Sequence, residues 1–159
     1  MDSIYNEQYF QDRILEEKHF KMVMQYIDFF DLDGNSVVLD YGCGRGPFVH
    51  CFRYYKVPCT GIDISEAAVS NPIGLAHGSI FLTNTPPTVK FDLVLSMDVL
   101  EHLQEEEADQ MIETLKSYSK KNILFSICFA NDKNWEKDPT HVIKKSRYWW
   151  INKIEEHGI

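Results

Sequence analysis

Three spaced glycines, a few acids and two histidines are the residues of this chain best placed to do chemistry. Val37-Val38-Leu39-Asp40 is a short apolar strand pattern that ends in an acid and opens into Gly42, Gly44 and Gly46. Glycines at alternate positions let the backbone turn sharply, visit positive φ and come close to a ligand. A second acid, Asp63, stands 17 residues after Gly46. A following parallel strand would end there, and a ribose is commonly held at such a strand end. Residues 91–96 read as a buried strand that passes into Asp98-Val99-Leu100-Glu101-His102-Leu103. Asp138-Pro139-Thr140-His141 brings a second histidine in a polar loop. Near neutral pH a histidine is the natural acceptor for the proton of a reacting hydroxyl.

The glycine spacing separates two ligand classes. A dinucleotide site uses G-x-G-x-x-G, whereas here Gly46 follows Gly44 by two and Asp40 precedes Gly42 by two. A carboxylate so close to a helix start repels a pyrophosphate and suits a ligand with a positive group. A nicotinamide-dependent oxidoreductase therefore ranks below the alternatives, and binding of a nicotinamide cofactor would restore it. A tight turn with no ligand requires less than three spaced glycines and two placed acids.

Taken in order, these blocks resemble the motifs of the class I S-adenosylmethionine-dependent methyltransferases. Those motifs are a strand, an acid and G-x-G-x-G, then an acid closing the next strand, then a fourth strand running into a stretch similar to Asp-Val-Leu-Glu-His-Leu. The resemblance covers about residues 36–130 closely and the flanks more loosely. It implies an α/β fold with a doubly wound, mostly parallel, Rossmann-like sheet. It also implies S-adenosylmethionine as cofactor. Asp40 with the backbone of Gly42 and Gly44 would hold the methionine portion, and Cys43 would fill the loop between them. Asp63 would accept from both ribose hydroxyls, and Ile64 would pack on the adenine. Ser79 would replace the acid that often follows the third strand, while Ser96 and Met97 would face the methionine and the transferred methyl.

His102 and His141 are the expected bases. The segment from Asp138 to Trp150 resembles a stretch of many small-molecule and sugar-modifying methyltransferases, which implies a small hydroxyl- or amine-bearing acceptor. Asp98, Glu101, His102 and His141 also carry ligand types that suit a divalent ion. Ubiquinone-biosynthesis O-methyltransferases and small-RNA 2′-O-methyltransferases use a similar arrangement. The signature is common in metal-free relatives too, and the expectation here is no metal. Tyr5, Tyr9 and Phe10 would form either an aromatic lid over the donor or ordinary packing. The competing reading of the whole is a non-catalytic S-adenosylmethionine binder that regulates or scaffolds a partner.

Composition bounds these readings. With 159 residues, 44% apolar and 25% charged, the chain suits a single globular domain with a real core. A formal charge of −8 without a dense basic stripe argues against a nucleic-acid substrate. No apolar run approaches the ~20 residues of a membrane span, and the N-terminus lacks the pattern of a secretory signal. Cysteines at 43, 51, 59 and 128 form no C-x-x-C pair, so neither a zinc site nor disulfides are expected. Cytoplasm is the expected location.

The elements that must position these residues alternate. Apolar spacing at Phe20, Val23, Met24, Ile27 and Phe30 predicts a helical region over 7–30, so residues 1–35 read as a helical or lid segment before a domain over 36–159. Strands are predicted at 37–40, 60–64, 79–82, 91–96 and 122–129, with helices near 46–52, 65–70, 108–115 and 146–156. Residues 83–88 and 131–140 read as loops. The sequence stops at Ile159, where the family's last two strands would follow. The resemblance thus implies about five strands, with the fifth at or near an open sheet edge that a second copy or a partner chain would cover.

Overall fold

Alternation along the first strand sorts the core into two layers. The computed structural model describes residues 4–84, 87–133 and 135–159. Residues 1–3, Thr85, Pro86 and Asn134, which fall in the expected N-terminal segment and loops, lie outside the described residues. In β1 (Val38–Tyr41), Val38 packs on one face with Leu93 and Leu95, and Leu39 on the other with Val94. Both faces are covered, so the strands read as continuous apolar runs.

β2 (Cys59–Asp63), β3 (Ile80–Leu82), β4 (Phe91–Met97) and β5 (Ser119–Ser126) complete one five-stranded parallel sheet in the order β3-β2-β1-β4-β5. Helices α2 (Glu17–Phe30) and α3 (Pro47–Tyr54) cover one face through Val23, Val49 and Phe52. On the other face, α5 (Ala108–Tyr118) lays down Leu115 and Met111. Helix α6 (Arg147–Glu156) docks Trp150 against Leu100 and Ile112 of that layer. The doubly wound, Rossmann-like architecture expected from the sequence is thus the observed one. Because β1 lies between β2 and β4, the strand order reverses there, and a crevice opens at the carboxyl ends of β1 and β4.

Local chemistry sets the element ends. Ser65 caps α4 (Glu66–Ser70) with its Oγ accepting from the Ala68 amide at 3.2 Å, and Ser146 caps α6 in the same way at Trp149. The expected N-terminal helical region is two helices, α1 (Glu7–Phe10) and α2. The break ends where the Glu16 amide donates to His19 Nδ1 at 2.9 Å and opens α2.

The fifth strand lies three residues earlier than 122–129. Lys120 and Lys121 pair with Asp92 of β4 and admit the polar start of the strand to the ladder. At the far end the Cys128 amide donates to Glu101 Oε1 at 2.8 Å, which takes it out of the ladder. Among the described residues β5 pairs on one side only, with β4, and no helix is long and apolar enough to cross a membrane.

Candidate active site

A cavity of about 730 Å³ occupies the crevice, lined by the ends of β1, β2 and β4 and by the N-terminal segment. Its floor is the glycine turn. Gly42 sits at φ +77°, and a Cβ there would lie 2.4 Å from Val99 Cγ2. Gly44, at φ +52°, faces the Phe10 ring and donates its amide to Asp63 Oδ2 at 2.7 Å. Asp63 Oδ1 accepts from the Ser65 amide at 2.8 Å. Burial raises the Asp63 carboxyl, and these backbone donors oppose that shift.

Asp40 is only 1% exposed, and its Oδ2 has no hydrogen-bond partner among the described residues. Burial, reinforced by the charge of Asp63, pushes its carboxyl up to about 7. A buried, orphaned carboxylate oxygen at a cavity wall suits a cationic ligand group.

A second cluster lies beside the first. The turn Leu100–His102 follows β4, and the Glu101 carbonyl accepts from the Val142 and Ile143 amides at 2.7 and 3.0 Å. That backbone pairing draws His141 onto His102, with ring centroids 4.8 Å apart. The Glu101 side chain is fully buried; Oε1 holds the Cys128 amide and Oε2 has no partner among the described residues. Burial pushes this carboxyl up to about 7. His102 Nδ1 lies 2.8 Å from Thr140 Oγ1, and burial lowers the affinity of this imidazole for a proton. His141 Nδ1 lies 3.0 Å from the Trp135 carbonyl oxygen. One ligand atom each from Glu101, His102 and His141 lies within 4.8 Å of the others, a set that could hold a divalent cation. Asp98 stands outside that set. It adopts φ +55° and accepts from Ser126 Oγ at 2.6 Å.

His102 stands between two spaces. It lines the main cavity and also an adjoining one of about 480 Å³, which Glu101, Asp138 and His141 line as well. Over both lies the N-terminal segment. The Tyr5 and Tyr9 rings meet edge-to-face at 5.0 Å, and Tyr5 lies 6.3 Å from the His102 ring. Arg13 stacks 4.0 Å above Tyr9, and Ser65 Oγ donates to the Tyr5 carbonyl at 2.6 Å.

Of the residues singled out in the sequence, Asp40, Gly42, Cys43, Gly44, Asp63, Ile64, Met97 and His102 line the main cavity, and His141 lines the adjoining one. Ser79 does not. It precedes β3, at the wrong end of that strand, and its backbone is used by Ala76 and Gly61. Thr83, just beyond the carboxyl end of β3, lines the cavity instead. Ser96 does not line it either. Alternation along β4 turns Ser96 away from the side on which Met97 lies, and its Oγ is buried. Arg13, Asp138 and Thr140 complete the surroundings of His102 and were not singled out. The Asp-Pro-Thr run is a turn signal that could have marked Asp138 and Thr140, whereas no pattern marks Arg13.

A family model described as methyltransferase domain matches residues 13–158. The chain belongs to the methyltransferase domain family. Among curated relatives of this methyltransferase-family chain, the phosphoethanolamine N-methyltransferase of Plasmodium falciparum is 26% identical over 167 aligned residues, covering 98% of this chain and 60% of that protein. The ajmaline N-methyltransferase of Rauvolfia serpentina is 35% identical over 82 residues, covering 44% of this chain and 28% of that protein. The chain thus spans less than two thirds of the length of either. Among solved structures, a SAM-dependent methyltransferase from Archaeoglobus fulgidus superposes with a TM-score of 0.67 at 23% identity, over 98% of this chain and 74% of that one. The magnesium protoporphyrin IX methyltransferase of Synechocystis PCC 6803, solved with bound SAH, gives 0.69 at 21% identity, over 88% and 73%. At these identities the likeness shows the fold.

Proposed function

We propose that this chain is an S-adenosylmethionine-dependent methyltransferase acting on a small hydroxyl- or amine-bearing acceptor. The observation that carries this is the orphaned Asp40 carboxylate oxygen beside a glycine turn whose next amide anchors Asp63. Bound there, the cofactor supplies a methyl carbon activated by its sulfonium. Asp40 offers its free oxygen to the cationic methionine end. Asp63, held in place by the Gly44 and Ser65 amides, keeps acceptor capacity for ribose hydroxyls. Ile64, 72% exposed, offers an apolar face for a flat ring. A Cβ at Gly44 would lie 3.3 Å from the Phe10 ring, so glycine keeps the close approach open.

His102 stands between the two cavities and takes the acceptor's proton. Burial keeps the imidazole neutral near pH 7, with a lone pair to offer. The Tyr5–Tyr9–Phe10 segment excludes water from the donor side, and alignment of donor and acceptor supplies most of the rate advantage. The acceptor enters from the side of His141 and Asp138. The curated relatives named above methylate nitrogen, which favours an amine. Four free cysteines, three of them buried, suit a reducing cytoplasm. Among the described residues β5 leaves one edge open, on which a second copy of this chain could pair.

The test is release of S-adenosylhomocysteine from S-adenosylmethionine across a panel of small amines and hydroxyl compounds. The wild type turns over at least one acceptor, and His102→Ala loses about a hundredfold or more. Donor binding without turnover of any acceptor would favour the regulatory or scaffold reading.

A further inference from the structure

We propose that Asp138 is a positioning residue that joins the N-terminal segment to His102, one carboxylate oxygen holding the segment and the other fixing, through Thr140, the proton of His102 on Nδ1. This rests on the reading of His102 as the base. Oδ2 accepts from Arg13 Nη2 at 2.8 Å and from the Tyr9 hydroxyl at 3.3 Å. Oδ1 accepts from the Thr140 amide at 3.0 Å and from Thr140 Oγ1 at 2.5 Å. One side chain therefore ties a segment more than a hundred positions away in sequence to the loop beside His102.

Donor and acceptor bookkeeping decides which imidazole nitrogen is basic. Burial raises the Asp138 carboxyl, but the Thr140 hydroxyl and amide and the charges of His102 and Arg13 outweigh it and hold the group at about 2. An ionised carboxylate accepts only, so the single Thr140 hydroxyl proton goes to Oδ1. Toward His102 Nδ1, 2.8 Å away, Thr140 Oγ1 then presents only lone pairs. The other neighbour of Nδ1 is the Thr140 carbonyl oxygen at 3.3 Å, also an acceptor. Two acceptors facing Nδ1 require that it carry the hydrogen. The lone pair is left on Nε2, across the ring from the loop, as a base needs. The second arm is weaker by design of its surroundings. Arg13 is half exposed, so its ion pair holds the segment only a few-fold, as suits a cover that must open.

Long-range 15N–1H NMR of the histidine side chains reads the tautomer at pH 8 in the free protein, without donor or acceptor. Trypsin cleavage after Arg13 reads the segment. His102 of the wild type is expected as the Nδ1–H form. Thr140→Val, which leaves Nδ1 only the longer contact to the backbone carbonyl, and Asp138→Asn shift part of the population toward Nε2–H, while Thr140→Ser, which keeps the hydroxyl, retains it. Asp138→Asn is cut after Arg13 about fivefold faster than the wild type, and Thr140→Val is cut as the wild type is. A wild-type Nε2–H form, an unchanged tautomer in Thr140→Val, or an unchanged cleavage rate in Asp138→Asn would each overturn the proposal. Because neither readout needs turnover, a loss of the methyltransferase reading itself leaves both results interpretable.

Discussion

Replacing Asp40 by asparagine changes how stability depends on pH. Its carboxyl is raised from 3.8 to about 7, chiefly by burial. The folded chain therefore holds a proton on Asp40 that the unfolded chain has lost at the same pH. Stability from this group is fully present below pH 4 and falls as pH rises toward 7. At 1.36 kcal/mol per decade, about three decades give about 4 kcal/mol in all, of which about 2 kcal/mol is lost between pH 5 and pH 7. Asp40→Asn removes that loss. Glu101, also raised to about 7, adds a slope of the same sign in both chains, so the diagnostic quantity is the difference between them. Urea midpoints of donor-free protein at pH 5, 6, 7 and 8 measure it. The variant gains on the wild type by about 3 kcal/mol from pH 5 to pH 8, or roughly 9 °C in a melt at about 3 °C per kcal/mol for this size. The same ionisation governs the donor. Below pH 7 the affinity of the wild type for S-adenosylmethionine falls up to about tenfold per pH unit. Parallel stability curves for the two chains would refute the reasoning.

Gly42→Ala meets Val99 Cγ2 at 2.4 Å and adopts φ +77°, a region that costs an L-residue about 1–2 kcal/mol; calorimetry gives at least a tenfold loss of donor affinity. On the metal-free reading, dialysis against EDTA leaves turnover unchanged, whereas loss restored by Mg²⁺ or Mn²⁺ would assign Glu101, His102 and His141 to a cation. Covering of β5 by a second copy gives a sedimenting mass twice 18.6 kDa, and a monomer at micromolar concentration would rule that second copy out.

What the sequence disclosed follows from how tightly each position is constrained. The glycine turn was legible because Gly42 must sit at positive φ against Val99 and Gly44 must face Phe10. Asp63 was legible because a strand-end acid that accepts two backbone amides leaves a recognisable spacing. The meeting of His102 with His141 had a weaker trace, since it depends on the Glu101 carbonyl taking the Val142 and Ile143 amides. No periodicity reports a pairing between a turn and a polar loop. Ser79 was misplaced because β3 has only three residues, too few to show which end faces the ligand. Ser96 was misplaced because a strand buried on both faces hides the alternation that separates it from Met97. Asp138 and Thr140 act through a carboxylate that serves two distant segments, a relation written in space alone.

The most direct test of the central claim is a calorimetric titration of wild type and Asp63→Ala with S-adenosylmethionine and S-adenosylhomocysteine. The wild type is expected to bind in the micromolar range, about −8 kcal/mol. Asp63→Ala should lose at least a hundredfold, because the ribose contacts and the anchor of the Gly44 amide go together. A folded wild type that binds neither ligand, or a variant that binds as tightly as the wild type, would contradict the account.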